Sequence, residues 1–130
     1  MCGIIGIAGA REIDERALSR ARDSLAHRGP DGSGIYIDRE RGVGLGHRRL
    51  AIIDLSDAGA QPMRSADGRY VIVFNGEIFN YIELREELRG RYAFTTKTDT
   101  EVLLAAFAIW GEACLERLNG QFAFALFDRE

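Results

Sequence analysis

The sequence predicts an α+β fold in which strands and helices form packed layers, and three observations support this prediction. Strand-like stretches lie near both ends of the chain, in residues 2–9 and 121–128. Segments with helical periodicity are grouped between them. The chain has 130 residues, of which 46% are hydrophobic, and this is enough apolar material for one domain with a buried core.

The first half of the chain is predicted to form a strand, a helix and a strand pair. The stretch CGIIGIAG combines small and β-branched residues, as buried strands do. Apolar residues then recur every four positions from Ile13 to Leu25, which indicates an amphipathic helix within residues 11–29 that ends at Gly29. The alternating stretches GIYID and VGLGHRRLAIIDL suit a hairpin or meander.

The second half is predicted to contain two strands and three helices. RYVIVFNGEIFN is the clearest strand, and we expect it to end at Asn75-Gly76, because this dipeptide favours a turn. NYIELREELRG predicts a helix with Asn80 as its N-cap. TDTEVLLAAFAIWG predicts a second helix, in which Thr98 and Glu101 are spaced as a capping box. EACLERLNG predicts a third helix and QFAFALFD a final strand.

Charge and composition exclude several classes of function. The 17 basic and 20 acidic residues are mixed along the chain and give a net charge of −3, so the sequence has no basic stripe for nucleic acid and no cationic face for membranes. No apolar run is long enough to span a bilayer, and the start lacks the pattern of a signal peptide. Two cysteines then fit a reducing compartment. We expect a cytoplasmic protein with small, soluble partners.

The sequence argues against a metal site and a phosphate site. Cys2, His27, His47 and Cys114 are the natural candidates for metal ligands, but they lie in four different elements without C-x-x-C or H-x-x-H spacing. GVGLG and GPDGSG are rich in glycine, yet neither follows the Walker A pattern or joins a strand to a helix. We therefore predict no metal, and we interpret Cys114 as a buried core residue.

Cys2 is the residue that best suggests chemistry, because of its position. If Met1 is removed, Cys2 gains a free α-amine, a group that titrates near pH ~8 and can serve as the base for its own thiol. One position further along, the nitrogen would be an amide and the base would be lost. On position alone, a small buried strand residue is an equally good interpretation, so both stay open at this point.

The motifs that follow Cys2 decide between these two interpretations. MCGIIGIAG is followed in order by HRGPDGSG, HRRLAIIDLS, GAQP, NGEIFNY and TDTEV, and this series resembles the glutaminase domain of class II glutamine amidotransferases. Such domains are N-terminal-nucleophile hydrolases with an αββα fold. The resemblance covers nearly the whole chain. It is greatest to the glutamine-hydrolysing asparagine synthetases, because hexosamine-phosphate synthases and amidophosphoribosyltransferases carry a threonine-arginine-tryptophan stretch in place of HRRLAIIDLS.

The resemblance implies a catalytic set and a substrate-binding set. Cys2 would be the nucleophile, while Asn75 and Gly76 would form an oxyanion hole from a side-chain amide and a backbone N–H. Arg49 would bind the α-carboxylate of glutamine with its planar guanidinium, and Asp99 would bind the α-ammonium. The residues implied for substrate binding are Arg49, Leu50, Ile52, Ile53, Asn75, Gly76, Glu77 and Asp99.

Other polar residues near these motifs receive structural roles. HRGPDG also matches the family, and we interpret it as a corner near the site in which Arg28 and Asp31 pair. Arg48 lies at a position where the family varies, so it is left out of the predicted site. His27 and His47 are assigned no catalytic step, because the α-amine would supply the base.

The activity implied by the resemblance is hydrolysis of L-glutamine to glutamate and ammonia through a thioester on Cys2. This step would need no metal and no organic cofactor. The ammonia would pass to a C-terminal ATP-pyrophosphatase synthetase domain, and ATP and Mg would be needed only there. The resemblance also leaves a homodimer open.

The synthetase domain is not in this chain, and the last strand stops at Glu130 without a turn or polar tail. We therefore expect residues 1–130 to be an incomplete glutaminase domain, an αββα sandwich truncated at its C-terminal end. Two alternatives stay open. One is an amidotransferase with a different acceptor, and the other is a catalytically silent module for ligand sensing or interdomain packing. Against the silent module counts the presence of the whole family set, Cys2, Arg49, Asn75, Gly76 and Asp99.

Overall fold

A computed structural model describes residues 1–9 and 12–130, so Arg11, at the start of the predicted first helix, lies outside the described residues. Within these ranges the chain forms strands, α-helices and two 3-10 helices. The strands are β1 (Gly3–Ile7), β2 (Gly32–Asp38), β3 (Val43–Arg49), β4 (Met63–Arg64), β5 (Tyr70–Ile78) and β6 (Gly120–Asp128). The α-helices are α1 (Glu15–Asp23), α2 (Tyr81–Leu88) and α3 (Asp99–Trp110), and the 3-10 helices are Asp57–Gly59 and Gly111–Arg117.

The strands form two antiparallel sheets that face each other. One has the order β1-β3-β2 and the other the order β4-β5-β6. Both β1 and β3 contact β5 across the space between the sheets. Leu45 of β3 is buried there against Val71 and Val73 of β5, with Tyr36 and Phe127 packed around them. The two sheets are therefore joined by an apolar layer of their own.

Helices cover the outer faces of this pair of sheets. On the first sheet, Leu18 of α1 is fully buried over β3, where Gly44 gives room: a Cβ at Gly44 would lie 3.1 Å from Leu18 Cδ2. On the second sheet, α3 packs against β5 and α2 packs against α3. The main core lies between β5 and these helices, with Ile72 and Leu103 fully buried in it. The order helix, sheet, sheet, helix confirms the predicted αββα fold.

The first helix and the strand β3 are shorter than predicted. Asp14 caps α1, since its Oδ1 accepts from the backbone N–H of Arg16 at 2.9 Å and of Ala17 at 3.1 Å. The α-helix ends at Asp23 rather than at Gly29, and the chain continues in turns. Gly29 itself lies against β3, where a Cβ would be only 2.4 Å from the backbone of Arg48. Strand β3 itself ends at Arg49, before LAIIDL.

One prediction about the polar residues of β5 is wrong, and one about the start of α2 is confirmed in position only. The strand does not end at Asn75-Gly76, because β6 pairs both residues, Asn75 with Ala123 and Gly76 with Phe122. Asn80 is the N-cap residue of α2, as predicted, but its side chain makes no capping bond. Instead its Nδ2 donates to the carbonyl of Arg117 at 2.9 Å, and its Oδ1 accepts from a backbone N–H of the same segment at 2.9 Å.

Of the two hydrogen bonds in the predicted capping box, only one forms at the start of α3. Thr98 Oγ1 accepts from the N–H of Glu101 at 3.1 Å, as predicted. The carboxylate of Glu101 does not return to Thr98; it accepts instead from the N–H and hydroxyl groups of Thr95 and Thr96, at 2.6 to 2.9 Å. The third predicted helix is a 3-10 helix, not an α-helix, and it holds the fully buried Cys114 as expected.

Candidate active site

A cavity opens at one end of the two sheets, where the start of β1, the ends of β3 and β5, and the first residue of α3 meet. Cys2, Arg49, Gly76 and Asp99 line it together. They are separated by up to 97 positions in the sequence, so only the fold brings them together. Of the nine residues that the sequence assigns to the site, all of which the structure describes, eight line this cavity: Cys2, Arg49, Leu50, Ile52, Ile53, Gly76, Glu77 and Asp99.

Cys2 is held from two sides. Its Sγ accepts from the N–H of Leu50 at 3.3 Å and lies 3.6 Å from the carbonyl oxygen of the same residue. Its own carbonyl accepts from Arg28 Nε at 2.9 Å. The predicted pair between Arg28 and Asp31 therefore does not form, and Asp31 accepts instead from the N–H of Ala51 at 2.9 Å. Both side chains satisfy backbone groups and fix the segments that carry Cys2 and Leu50.

The guanidinium of Arg49 is fixed by the loop between β3 and β4. Nη1 donates to the carbonyl of Ser56 at 2.7 Å, and Nη2 donates to the carbonyl of Asp54. Asp54 has φ 55°, and its carboxylate accepts from Ser56 Oγ at 2.5 Å and from the N–H of Lys97 at 3.1 Å. These hydrogen bonds, from Ser56 first, lower the pKa of Asp54. The loop stays close because Gly59 has no side chain: a Cβ there would lie 2.2 Å from Arg49 Nη2.

Asp99 brings a buried carboxylate to the cavity. It is 6% exposed, and its Oδ2 accepts from the N–H of Ile78 at 3.1 Å. Burial raises the pKa of Asp99, and the negative charge of the neighbouring Glu77 acts in the same direction. Burial disfavours the anionic form, so a cation bound in the cavity would compensate for the lost solvation. The site is thus suited to an ammonium group beside Asp99.

Asn75 and Gly76 are adjacent in β5 but face different surroundings. Gly76 lines the cavity, whereas Asn75 does not. Successive side chains of a strand point to opposite faces, so Asn75 shares the face of Val71 and Val73, which points to the sheet of β1, β3 and β2. Its Oδ1 is buried and has no hydrogen-bond partner among the described residues.

Neither histidine lines the cavity, which agrees with the structural roles assigned to them. His47 is 1% exposed, and its Nε2 lies 3.1 Å from the carbonyl oxygen of Phe74. Burial lowers the pKa of His47 to about 4, so the ring is neutral at pH 7. A carbonyl only accepts, so Nε2 carries the proton. His27 is exposed at the end of the turns after α1.

A family model described as a glutamine amidotransferase domain matches residues 1–130. The chain belongs to this family. Among curated proteins, this amidotransferase domain is 42% identical over 135 residues to asparagine synthetase [glutamine-hydrolyzing] 1 of Bacillus subtilis, covering 99% of this chain and 21% of that protein. It is 43% identical over 134 residues to asparagine synthetase B [glutamine-hydrolyzing] of Escherichia coli K12, covering 100% of this chain and 24% of that protein. The chain thus spans between a fifth and a quarter of the length of these relatives.

A solved structure supports the fold of this amidotransferase domain. Glutamine phosphoribosylpyrophosphate amidotransferase of Bacillus subtilis, solved with ADP and GMP, superposes with a TM-score of 0.77 at 23% identity. The match covers 98% of this chain and 35% of that one. At this identity the likeness shows the fold alone, and it agrees with the αββα arrangement of the sheets and helices.

The cavity of this amidotransferase domain also contains residues that the sequence did not single out. Gln61 was part of the GAQP motif only, and Thr98 was interpreted only as a helix cap. These residue types did not indicate a functional site, because a glutamine and a threonine are usually surface or capping residues. The further lining residues are Met1, Gly59, Gln61, Phe74, Phe79, Thr98, Thr100 and Gln121.

No group of three or more His, Cys, Asp or Glu side chains within residues 1–9 and 12–130 is placed to hold a metal ion. None of the helices in them has the length and apolar character needed to cross a membrane.

Proposed function

We propose that this amidotransferase domain hydrolyses L-glutamine to glutamate and ammonia, with Cys2 as the nucleophile. The observation that carries the proposal is the shared cavity: a thiol, a fixed guanidinium and a buried carboxylate line one space. Glutamine has a carboxylate, an ammonium and an amide, so these three groups match the three polar parts of the substrate. The family membership supports the same activity.

In the proposed binding mode, Arg49 holds the α-carboxylate and Asp99 the α-ammonium. The hydrogen bonds of Arg49 to the loop carbonyls hold its guanidinium in one orientation before the substrate binds. This lowers the entropy cost of binding. Glu77 adds negative charge on the ammonium side. The apolar lining of Leu50, Ile52 and Ile53 would contact the two methylenes of the substrate.

In the proposed chemistry, the thiolate of Cys2 attacks the side-chain amide carbon, and the carbonyl electrons move onto oxygen. The backbone N–H of Gly76 and Asn75 Nδ2 donate to this oxyanion. The C–N bond then breaks, and the protonated α-amine of Cys2 gives its proton to the leaving ammonia. The amine next accepts a proton from water, whose oxygen attacks the thioester, so that glutamate leaves and the thiol is restored. No metal or organic cofactor takes part.

We further propose that the ammonia is used by an ATP-dependent synthetase domain of the same longer protein in the cytoplasm, with ATP and Mg bound only in that domain. The support is the likeness to glutamine-hydrolysing asparagine synthetases over nearly all of this chain. An amidotransferase with another acceptor is the alternative, since these residues bind only the ammonia donor. Sequencing the rest of the natural chain and assaying for amidated aspartate separates the two.

The two cysteines provide the test of the nucleophile and its control. Cys2→Ala should abolish ammonia release from glutamine, because no other described thiol lines the cavity. Cys114→Ala should keep turnover and lower only the melting temperature, because Cys114 lies in the core beside α3. Ammonia release and thermal melting are measured on both variants. Turnover that survives in folded Cys2→Ala would overturn the proposed function.

A further inference from the structure

One edge of β5 is bound by side chains rather than by a strand. Strand β4 is short and pairs only Met63 with Ile72 and Arg64 with Val71. Beyond this point the N–H of Phe74 donates to Gln61 Oε1 at 2.6 Å, and the N–H of Ile78 donates to Asp99 Oδ2 at 3.1 Å. The opposite edge of β5 pairs with β6 along its whole length.

The backbone of Gly76 lies halfway between these two bound groups. In an antiparallel pair, the N–H and C=O of alternate residues point to the same edge, so Phe74, Gly76 and Ile78 all direct their N–H groups away from β6. No side chain of the described residues accepts from the N–H of Gly76. Gly76 lines the cavity, so its N–H is the free donor on that edge.

Gln61 is itself fixed on both sides. It is 9% exposed, and its Nε2 donates to Thr100 Oγ1 at 3.2 Å in the first turn of α3. Its Oε1 accepts from Phe74, and the carbonyl of the same Phe74 accepts from His47 Nε2 at 3.1 Å. The loop before β4, the helix α3 and the strand β3 thus meet at one residue of β5, two positions before Gly76.

We propose that Gln61 is a positioning residue for hydrolysis: it replaces the missing strand beside β5 and thereby aims the Gly76 N–H at the oxyanion. This inference rests on the proposed function. A primary amide suits the position because one side chain must accept from Phe74 and donate to Thr100 at the same time. If the Phe74 N–H loses its acceptor, the backbone before Gly76 is held less firmly on this edge, and the Gly76 N–H can tilt away from its direction.

The test compares Gln61→Met with Gln61→Glu in the full chain after removal of Met1. Methionine has nearly the same length but no strong acceptor, whereas glutamate keeps an oxygen for the Phe74 N–H. We expect kcat of Gln61→Met to fall on the order of 100-fold, with KM changed less than about threefold, because the lost interaction acts in the transition state. Gln61→Glu should recover kcat to within about tenfold of the wild type.

A transition-state-like ligand separates positioning from general damage. Glutamate γ-semialdehyde forms a hemithioacetal with Cys2, in which the aldehyde oxygen occupies the oxyanion position. Its affinity should fall in Gln61→Met by the same factor as kcat, while the affinity for L-norvaline, which has a methyl group and no oxygen at this position, should not change. Cys114→Ala serves as the matched control for lost stability, and there both affinities and kcat should be retained.

Three results of these measurements would contradict different parts of the proposal. A kcat of Gln61→Met within about threefold of the wild type would overturn the positioning role alone. A higher KM with unchanged kcat would also overturn it, since Gln61 would then act in substrate binding. Wild-type protein that includes the proposed synthetase domain, lacks Met1, is folded and still releases no ammonia from glutamine would overturn the proposed function, and this inference with it.

Discussion

Asp99 has opposite consequences for folding and for binding. Burial raises its pKa above the ordinary carboxyl value, which is also its value in the unfolded chain. The folded state therefore binds the proton more tightly. Stability contributed by this group is fully present below the ordinary carboxyl pKa and is lost as pH rises through the raised folded pKa. At any pH where Asp99 is ionised, the unliganded folded protein carries the cost of burying this charge.

Asp99→Asn should therefore raise the melting temperature of the unliganded protein at pH values above the raised carboxyl pKa and flatten its decline between the ordinary and the raised carboxyl pKa. An asparagine oxygen still accepts from the N–H of Ile78, so the fold is kept. Glutamine binding should weaken by about 2 to 5 kcal/mol, because the ammonium loses its counter-charge. Melting curves against pH and calorimetry on a Cys2→Ala background measure the two effects. Unchanged glutamine affinity would remove Asp99 from the site.

Met1 bears on the nucleophile in two ways. While Met1 is attached, the nitrogen of Cys2 is a peptide amide whose lone pair is delocalised, so it cannot take the thiol proton. Met1 also lines the cavity, although 63% of it is exposed. We predict that protein retaining Met1 is inactive towards glutamine and that trimming to Cys2 gives turnover. Intact mass and ammonia release are measured on the same sample. Robust hydrolysis at a mass that includes Met1 would defeat the amine-as-base mechanism.

The loop between β3 and β4 acts as one element that carries Arg49. Its 3-10 turn, Asp57–Gly59, comes so close that any side chain at Gly59 would overlap the guanidinium. Gly59→Ala should therefore displace Arg49 from the carbonyls of Asp54 and Ser56 and raise KM for glutamine about tenfold, with little change in kcat. Ala60→Gly, one position later, loosens the same turn without touching Arg49 and should leave KM unchanged. Equal KM values in both variants would contradict this account.

At the scale of elements, periodic and capped segments were predictable from sequence, and elements that depend on distant partners were not. The pattern before α3 gave both its start and the Thr98 bond to Glu101. The prediction that the strand ends at Asn75-Gly76 was wrong because a local turn preference is weaker than pairing with β6, which lies about fifty residues later. The position of Asn80 as N-cap was predictable, but its missing capping bond was not, because the N–H of the distant Asn119 takes its Oδ1.

At the scale of the whole molecule, the αββα order and the predicted site set could be inferred because the motifs together resemble a family. The residues that orient this set could not. Gln61 acts through a hydrogen bond from the Phe74 N–H, and Asp54 acts through hydrogen bonds within the loop that carries Arg49. Individual hydrogen bonds of this kind leave no periodicity or spacing in the sequence. The residues that line the cavity were predictable as a group, whereas the hydrogen bonds that support them were not.

The open edge of the second sheet has a consequence for segment 1–130 studied alone. Strand β6 is an edge strand of nine residues, and unpaired edges promote association between chains. Its alternate residues Phe122, Phe124 and Leu126 direct their N–H groups away from β5, since their partners in β5 bind on the other side. Two further observations agree: these three side chains are only partly buried, and they pack at the margin of the main core.

We predict that this segment associates as its concentration rises and is a poor glutaminase by itself. Hydrogen exchange should be fast at the amides of Phe122, Phe124 and Leu126 in dilute solution, slow at those of Ala123 and Ala125, and slower at the first three once chains associate. Sedimentation velocity over a concentration series measures the association directly. A monomer at every concentration, with cooperative melting and fast release of ammonia from glutamine, would show that this edge needs no partner.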